Sequence, residues 1–233
     1  QRHRIRRTGK SIAFLAVIYA ALAYLALPEW WWLRDRGLTD TVGSFVTTTP
    51  QGIPGDPINI GLVATEAEVL RAFAASGWNP ADKLTLKSAL EIGLSVVLDR
   101  SYADAPVSTL IYDGRAQDLA FEKRDGRSPD RRHHVRFWHA PQPNGKSPLL
   151  WLGAASFDRG VGFSHDTGQI THHIAPDVDA ERDLIIADLE KPGLVSDVSD
   201  EPGAPATTSG RNGGGDPYFT DGIIKIAILA AKR

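Results

Sequence analysis

The chain has 233 residues, a formal net charge of −2 and no cysteine, which excludes disulfides, thiol catalysis and cysteine-ligated zinc. Charge is unevenly spread: with Arg2, Arg4, Arg6, Arg7 and Lys10 set aside, 21 Lys and Arg face 28 Asp and Glu, about −7. An acidic domain of that kind argues against nucleic acid as a partner, because phosphate binding needs a basic surface.

Ser11 to Pro28 carry no charge. At 1.5 Å rise per residue such a helix is roughly 27 Å long, close to the hydrocarbon core of a bilayer. The run leaves through Trp30-Trp31-Trp32, and indole rings settle at the headgroup level. A cleaved signal peptide is the rival reading, but Tyr24 and Leu25 interrupt a small-residue cleavage site. The expected organisation is a basic cytoplasmic tail (1–10), a transmembrane signal anchor with its Trp belt (11–33), a linker (34–54) and one outer domain (55–233). The basic flank places the N-terminus in the cytoplasm and the domain outside the inner membrane.

Ile58–Val63 alternates and predicts the first strand. Thr65-Glu66-Ala67-Glu68 is a capping box, so a helix follows to about Ser76 and stops at Gly77. A second helix is expected over Thr85–Leu98. Strands follow at Val107–Tyr112, Leu119–Lys123, Arg132–Trp138, Leu149–Phe157 and Ile170–Ile174, then a helix at Val178–Leu189 and a closing strand at Ile223–Leu229. Val198–Gly215, rich in Gly, Ala, Pro and hydroxyl residues, reads as a surface loop. The fold class is α+β: a mainly antiparallel sheet flanked by about three helices, behind one N-terminal transmembrane helix.

Rare words recur in a fixed order: Gly55-Asp56-Pro57-Ile58-Asn59, Ser76-Gly77-Trp78, Pro106-Val107-Ser108 and Asp118-Leu119-Ala120-Phe121-Glu122-Lys123. They continue with Arg132-His133-His134-Val135-Arg136-Phe137-Trp138, Trp151-Leu152-Gly153, Phe157-Asp158 and Thr171-His172-His173-Ile174. Pro176-Asp177, Asp179-Ala180-Glu181-Arg182-Asp183 and Asp216-Pro217-Tyr218-Phe219-Thr220-Asp221-Gly222 complete the series. In these the chain resembles the LssY-like C-terminal domain family. The resemblance implies a bacterial cell-envelope domain that stands behind a membrane segment or is fused to multi-pass regions of phosphatase or DedA type. No such multi-pass region is seen here, and the family label carries no mechanism.

Six of the seven histidines fall between residues 133 and 173. Consecutive strand residues face opposite ways, so one of His133/His134 and one of His172/His173 can enter a shared site. His134, His172 and His173, with Asp158, are the candidate catalytic groups. His134, His172 and Asp177 are candidate ligands for a divalent metal as cofactor. The alternative is that these histidines hydrogen-bond across the sheet. Arg115, Arg132, Arg136, Arg159 and Arg182, with Glu181, form a candidate binding set, because a guanidinium matches phosphate or carboxylate. Arg132, His134 and Arg136 share a strand face and make the expected wall of a site. Asp177, Asp179, Glu181 and Asp183 open a helix and also read as capping. No G-x-S-x-G elbow or H-E-x-x-H helix occurs.

The leading expectation is a binding or accessory domain for an anionic envelope ligand or a membrane-protein partner. The alternatives are a metal-assisted hydrolase of a lipid-phosphate or related substrate, which leaves enzymatic activity open, and a subunit of a larger membrane complex. The lipid bilayer is a partner in each case. An enzyme predicts a histidine and a carboxylate converging in a cleft; a binding module predicts an arginine-lined groove.

Overall fold

A computed structural model describes residues 2–30, 45–82, 85, 87, 107–126, 130–140, 150–203 and 208–230. Helix α1 (Arg2–Ala21) passes through a π-helical turn (Leu22–Ala26) and stays helical to Trp30. Within it, Gly9–Trp30 is long and apolar enough to cross a membrane. Ile12, Phe14, Leu15, Val17, Leu22 and Leu25 all stand exposed, as side chains do on a helix that seeks an apolar medium rather than a protein core. Trp31, Trp32 and most of the expected linker lie outside the described residues.

The domain is built on an eight-stranded sheet. Its strands are β3 (Ile60–Val63), β4 (Asn79–Pro80), β7 (Leu119–Arg124), β8 (Arg132–His139), β9 (Leu150–Phe163), β10 (Ile170–Ile174), β11 (Val195–Pro202) and β14 (Ile223–Leu229). The order is β11-β14-β3-β9-β8-β7-β4, with β10 also on β9; only β14 and β3 run parallel. A four-stranded sheet joins β1 (Val46–Thr48), β2 (Pro54–Pro57), β5 (Ile111–Tyr112) and β6 (Arg115–Ala116). A small ribbon pairs β12 (Ser209–Arg211) with β13 (Pro217–Phe219). The expected α+β class with a mainly antiparallel sheet holds.

Helices α2 (Glu66–Ala75) and α3 (Val178–Glu190) cover one face of the large sheet. Both begin as the sequence dictates. Thr65 Oγ1 accepts from Glu68 N while Glu68 Oε2 accepts from Thr65 N, and Asp177 accepts from Ala180 N. Gly77, at φ +84°, takes the left-handed turn that ends α2. Between helices and sheet lie Ile60, Leu62, Phe73, Trp78, Phe121, Val135, Phe137, Ile185 and Leu189. Phe73 stacks on Phe121 at 4.2 Å. Gly153 is glycine because a Cβ there would fall 2.5 Å from the Phe137 ring.

The other face of the sheet meets the four-stranded sheet through a smaller apolar cluster of Ile58, Leu110, Trp138, Ala154 and Ile224. Two expectations shift. Val198–Gly215 is not one loop: β11 runs through its first part as an edge strand paired with β14, and β12 takes up another part. An edge strand needs little burial, which is why Val-Ser-Asp-Val-Ser-Asp-Glu-Pro escapes an apolar alternation test. Strand β9 also extends beyond Phe157 to Phe163, where Gly160 and Gly162 break the alternation. Of the helix expected over Thr85–Leu98, only Thr85 and Lys87 are described, and both are helical.

Candidate functional site

Strand β8 carries His133, Val135 and Phe137 toward the helices and Arg132, His134 and Arg136 toward the small sheet. Register does the rest. His134 lies opposite Glu122 on β7 and Ser156 on β9, while Arg132 lies opposite Asp158. Asp56 arrives from β2 in the covering sheet. Asp56, Glu122, Arg132, His134, Arg136, Ser156 and Asp158 are all buried.

Every member of this network has a partner. Arg132 Nε donates to Asp158 Oδ2 at 2.9 Å and its Nη1 to Glu122 Oε2 at 3.0 Å. Arg136 Nε donates to the Ser108 carbonyl at 3.0 Å, and its Nη1 lies 3.4 Å from Asp56 Oδ2 and 3.2 Å from His134 Nδ1. A guanidinium only donates, so His134 Nδ1 is the acceptor and the ring proton sits on Nε2. That proton points to Asp158 Oδ1 at 2.8 Å. Ser156 Oγ donates to Asp56 Oδ2 at 3.0 Å and lies 3.4 Å from His134 Nε2.

Serine, histidine and aspartate therefore meet without forming a nucleophile relay. A relay needs the aspartate on one ring nitrogen and the serine on the other. Here both address Nε2, which donates, and the serine proton is committed to Asp56. Burial opposes ionisation of Asp158, but His134 and Arg132 more than offset it and hold the carboxyl well below the usual carboxylate range. Burial pushes Glu122 up against the pull of Arg132, and it pulls the Arg136 guanidinium down against Asp56 and Asp158. Tyr218, buried and facing the charge of Asp56, is pushed up to about 12. Two guanidiniums face three carboxyl groups in a buried polar core whose members are bonded to one another.

The structure thus joins His134, Asp158, Arg132 and Arg136 from the expected set. His172 is half-buried beside them; burial lowers its pKa against the pull of Asp158. His173 parts from His172 and binds Asp216 instead, Nδ1 to Oδ1 at 2.8 Å. Asp177 is the N-cap of α3. On the helix side, His133 Nδ1 meets Glu181 Oε2 at 2.8 Å; the other oxygen, Oε1, is buried without a partner, and burial pushes this carboxyl up. Arg182 ties α3 to the start of β14, donating to Asp179, Asp183, Asp221 and the Ile223 carbonyl. Burial opposes its charge, but those carboxylates raise its pKa above the ordinary arginine range. Arg115 is exposed and donates to the His139 carbonyl at 2.6 Å. Arg159 is exposed, 3.9 Å from Asp216.

Five further residues complete these arrangements: Asp56, Glu122, Ser156, His165 and Asp216. Ser156 and Asp158 share a strand face at a spacing of two, a signal present in the sequence. Asp56 and His165 are brought in by chain segments that only the fold places. His165 Nε2 stands 3.7 Å from Asp216 Oδ1. His165, His173 and Asp216 offer three ligand atoms within 4.8 Å of one another, the one such group among the described residues.

A family model described as LssY C-terminus matches residues 38–224. No curated protein and no solved structure matches the chain.

Proposed function

This chain belongs to that family, and we propose that it is a membrane-anchored binding domain working pressed against its bilayer, for an anionic envelope ligand or a membrane-protein partner. The observation that carries this reading is the tie between the apolar helix and the β9–β10 hairpin. Tyr19 Oη donates to the Gly168 carbonyl at 2.7 Å, Gln169 Nε2 to the Ala23 carbonyl at 3.0 Å, and Ile170 N to Tyr24 Oη at 3.3 Å. Tyr19 and Phe163 meet edge to face at 6.2 Å.

At the same tip Phe163 and Ile170 are 63% and 62% exposed. Large apolar side chains so placed beside a helix fit for a membrane suit lipid better than water. From Tyr19 and Tyr24 to Trp30 the helix rises about 16 and 9 Å, so the tip lies against the outer half of the apolar run, where apolar side chains are buried in lipid. The basic residues ahead of the apolar run favour a cytoplasmic N-terminus, with the domain outside a bacterial inner membrane. Arg159 lies on this hairpin with its side chain more than half exposed, and offers a guanidinium to an anionic headgroup. The metal-assisted hydrolase has one observation in its favour, the His165–His173–Asp216 group at the same hairpin.

Because the chain lacks cysteine, Phe163→Cys and Ile170→Cys each create a unique site for a nitroxide label. With the full chain in lipid nanodiscs, both labels should be relaxed by oxygen and shielded from a water-soluble nickel chelate. A label at Glu201→Cys, exposed on β11, should behave the opposite way. Water-like behaviour at 163 and 170 overturns the reading.

A further inference from the structure

We infer that His165, His173 and Asp216 form a binding site for a divalent transition-metal ion of the zinc class, seated between the β9–β10 hairpin and the loop before β13. The inference goes beyond the membrane reading and stands without it.

The donor set is the first argument. Two imidazoles and a carboxylate suit Zn²⁺ and its neighbours, whereas Ca²⁺ and Mg²⁺ prefer oxygen alone. Spacing is the second. Metal–ligand bonds of about 2.0–2.2 Å put the donors of a tetrahedral ion roughly 3.3 Å apart. His173 Nδ1 and His165 Nε2 lie 2.8 and 3.7 Å from the same Asp216 oxygen, so shifts of half an ångström open the first contact and close the second.

The surroundings hold the ligands in place. Asp216 is fully buried, and its second oxygen accepts from Ile174 N at 3.1 Å, which fixes the carboxylate from behind. Asn212 Oδ1 accepts from both Gly214 N and Asp216 N, and the backbone N–H of His165 donates to the Gly214 carbonyl. The turn bearing His165 and the loop bearing Asp216 are thus locked together. Two glycines keep the space clear. A Cβ on Gly162 would sit 2.3 Å from His173 Nε2. One on Gly215, whose φ is +82°, would sit 2.7 Å from His165 Cβ and 2.9 Å from Asp166 Oδ2.

Access is one-sided. The His165 side chain is 58% exposed while Asp216 is not exposed at all, so the ion enters past the histidine and rests on the buried carboxylate. Arg159, 3.9 Å from Asp216 and more than half exposed, balances that carboxylate until the ion takes its place. Three protein ligands leave a fourth position for water or for an oxygen of a bound anion.

The test uses the full chain in detergent, purified without tag histidines and stripped with chelator. Titration with Co²⁺ should give one equivalent and the intense visible absorption of four-coordinate cobalt, displaced by Zn²⁺. His165→Ala and Asp216→Asn should each weaken binding at least about tenfold, since outer-shell changes alone reach that size. His172→Ala, one residue along the same strand, should bind as wild type does. Absence of stoichiometric binding, or wild-type affinity in His165→Ala, overturns the site. Should Asp216→Asn fail to fold, the exposed His165 still decides.

Discussion

Asp158→Asn probes the buried polar network most sharply. Its carboxylate accepts from Arg132 Nε at 2.9 Å and from His134 Nε2 at 2.8 Å, and Asp158 is buried. An asparagine keeps the shape but turns one acceptor into an N–H₂ donor that faces another donor. Removing one partner of a buried ion pair costs about 3–5 kcal/mol, because the remaining charge stays buried and uncompensated. In a domain of this size each kcal/mol shifts Tm by about 2–4 °C, so the variant should melt roughly 10 °C lower. The assay is tryptophan fluorescence of the full chain in detergent, as a thermal melt at a series of pH values. Its pH dependence has a definite sign. The folded-state pKa of Asp158 is depressed, so its stabilisation is present above the unfolded aspartate range, about 3.9, and is lost as pH falls through the folded value. The gap between wild type and variant should stay constant from pH 8 to pH 5 and narrow only in stronger acid. A gap under about 1 kcal/mol at neutral pH, or one that widens on acidification, refutes the network as a stabilising core.

Glu181→Gln should behave in the opposite sense. Burial raises the folded pKa of Glu181, so its contribution is best below the ordinary glutamate range and is lost as pH rises. Melts between pH 4 and pH 8 should show the variant gaining on wild type with rising pH, and a constant difference would contradict this. Arg182→Met should cost about 1–3 kcal/mol by chemical denaturation, since it removes the buried donor that joins Asp179, Asp221 and the Ile223 carbonyl at the junction of α3 and β14; a cost under about 1 kcal/mol by the same assay would show the junction holds without it. Gly153→Ala should cost about 1–3 kcal/mol through overpacking, because its Cβ would meet Phe137 at 2.5 Å and Ile60 at 2.8 Å. A wild-type Tm there would mean that the Phe137 ring moves aside freely.

Local features were readable along the chain. Thr65, Gly77 and Asp177 act through the backbone of their own segments, so the ends of α2 and the start of α3 follow from a few residues. Alternation in Arg132–His139 told correctly that Arg132, His134 and Arg136 share a side. What the side faces was not readable. The partners Glu122, Ser156 and Asp158 come by strand register, and Asp56 lies 80 residues from Arg136 in a strand of four residues. Strands that short carry no periodicity, so apart from the strand expected over Val107–Tyr112, which contains β5, the covering sheet, and with it the burial of the network, left no trace in the pattern. His165 was lost for a related reason: β9 was expected to end at Phe157, and its last residues carry the chain to the turn where His165 meets Asp216.

A domain held against its bilayer requires the apolar helix and the β9–β10 hairpin to act as one unit. The direct measurement is cross-linking in intact membranes, with Ala23→Cys and Gln169→Cys introduced together into the cysteine-free chain and treated with a short bifunctional maleimide. An efficient intramolecular cross-link is expected for this pair, and none when Leu15→Cys replaces Ala23→Cys. Equal or absent cross-linking in the two pairs would contradict that arrangement.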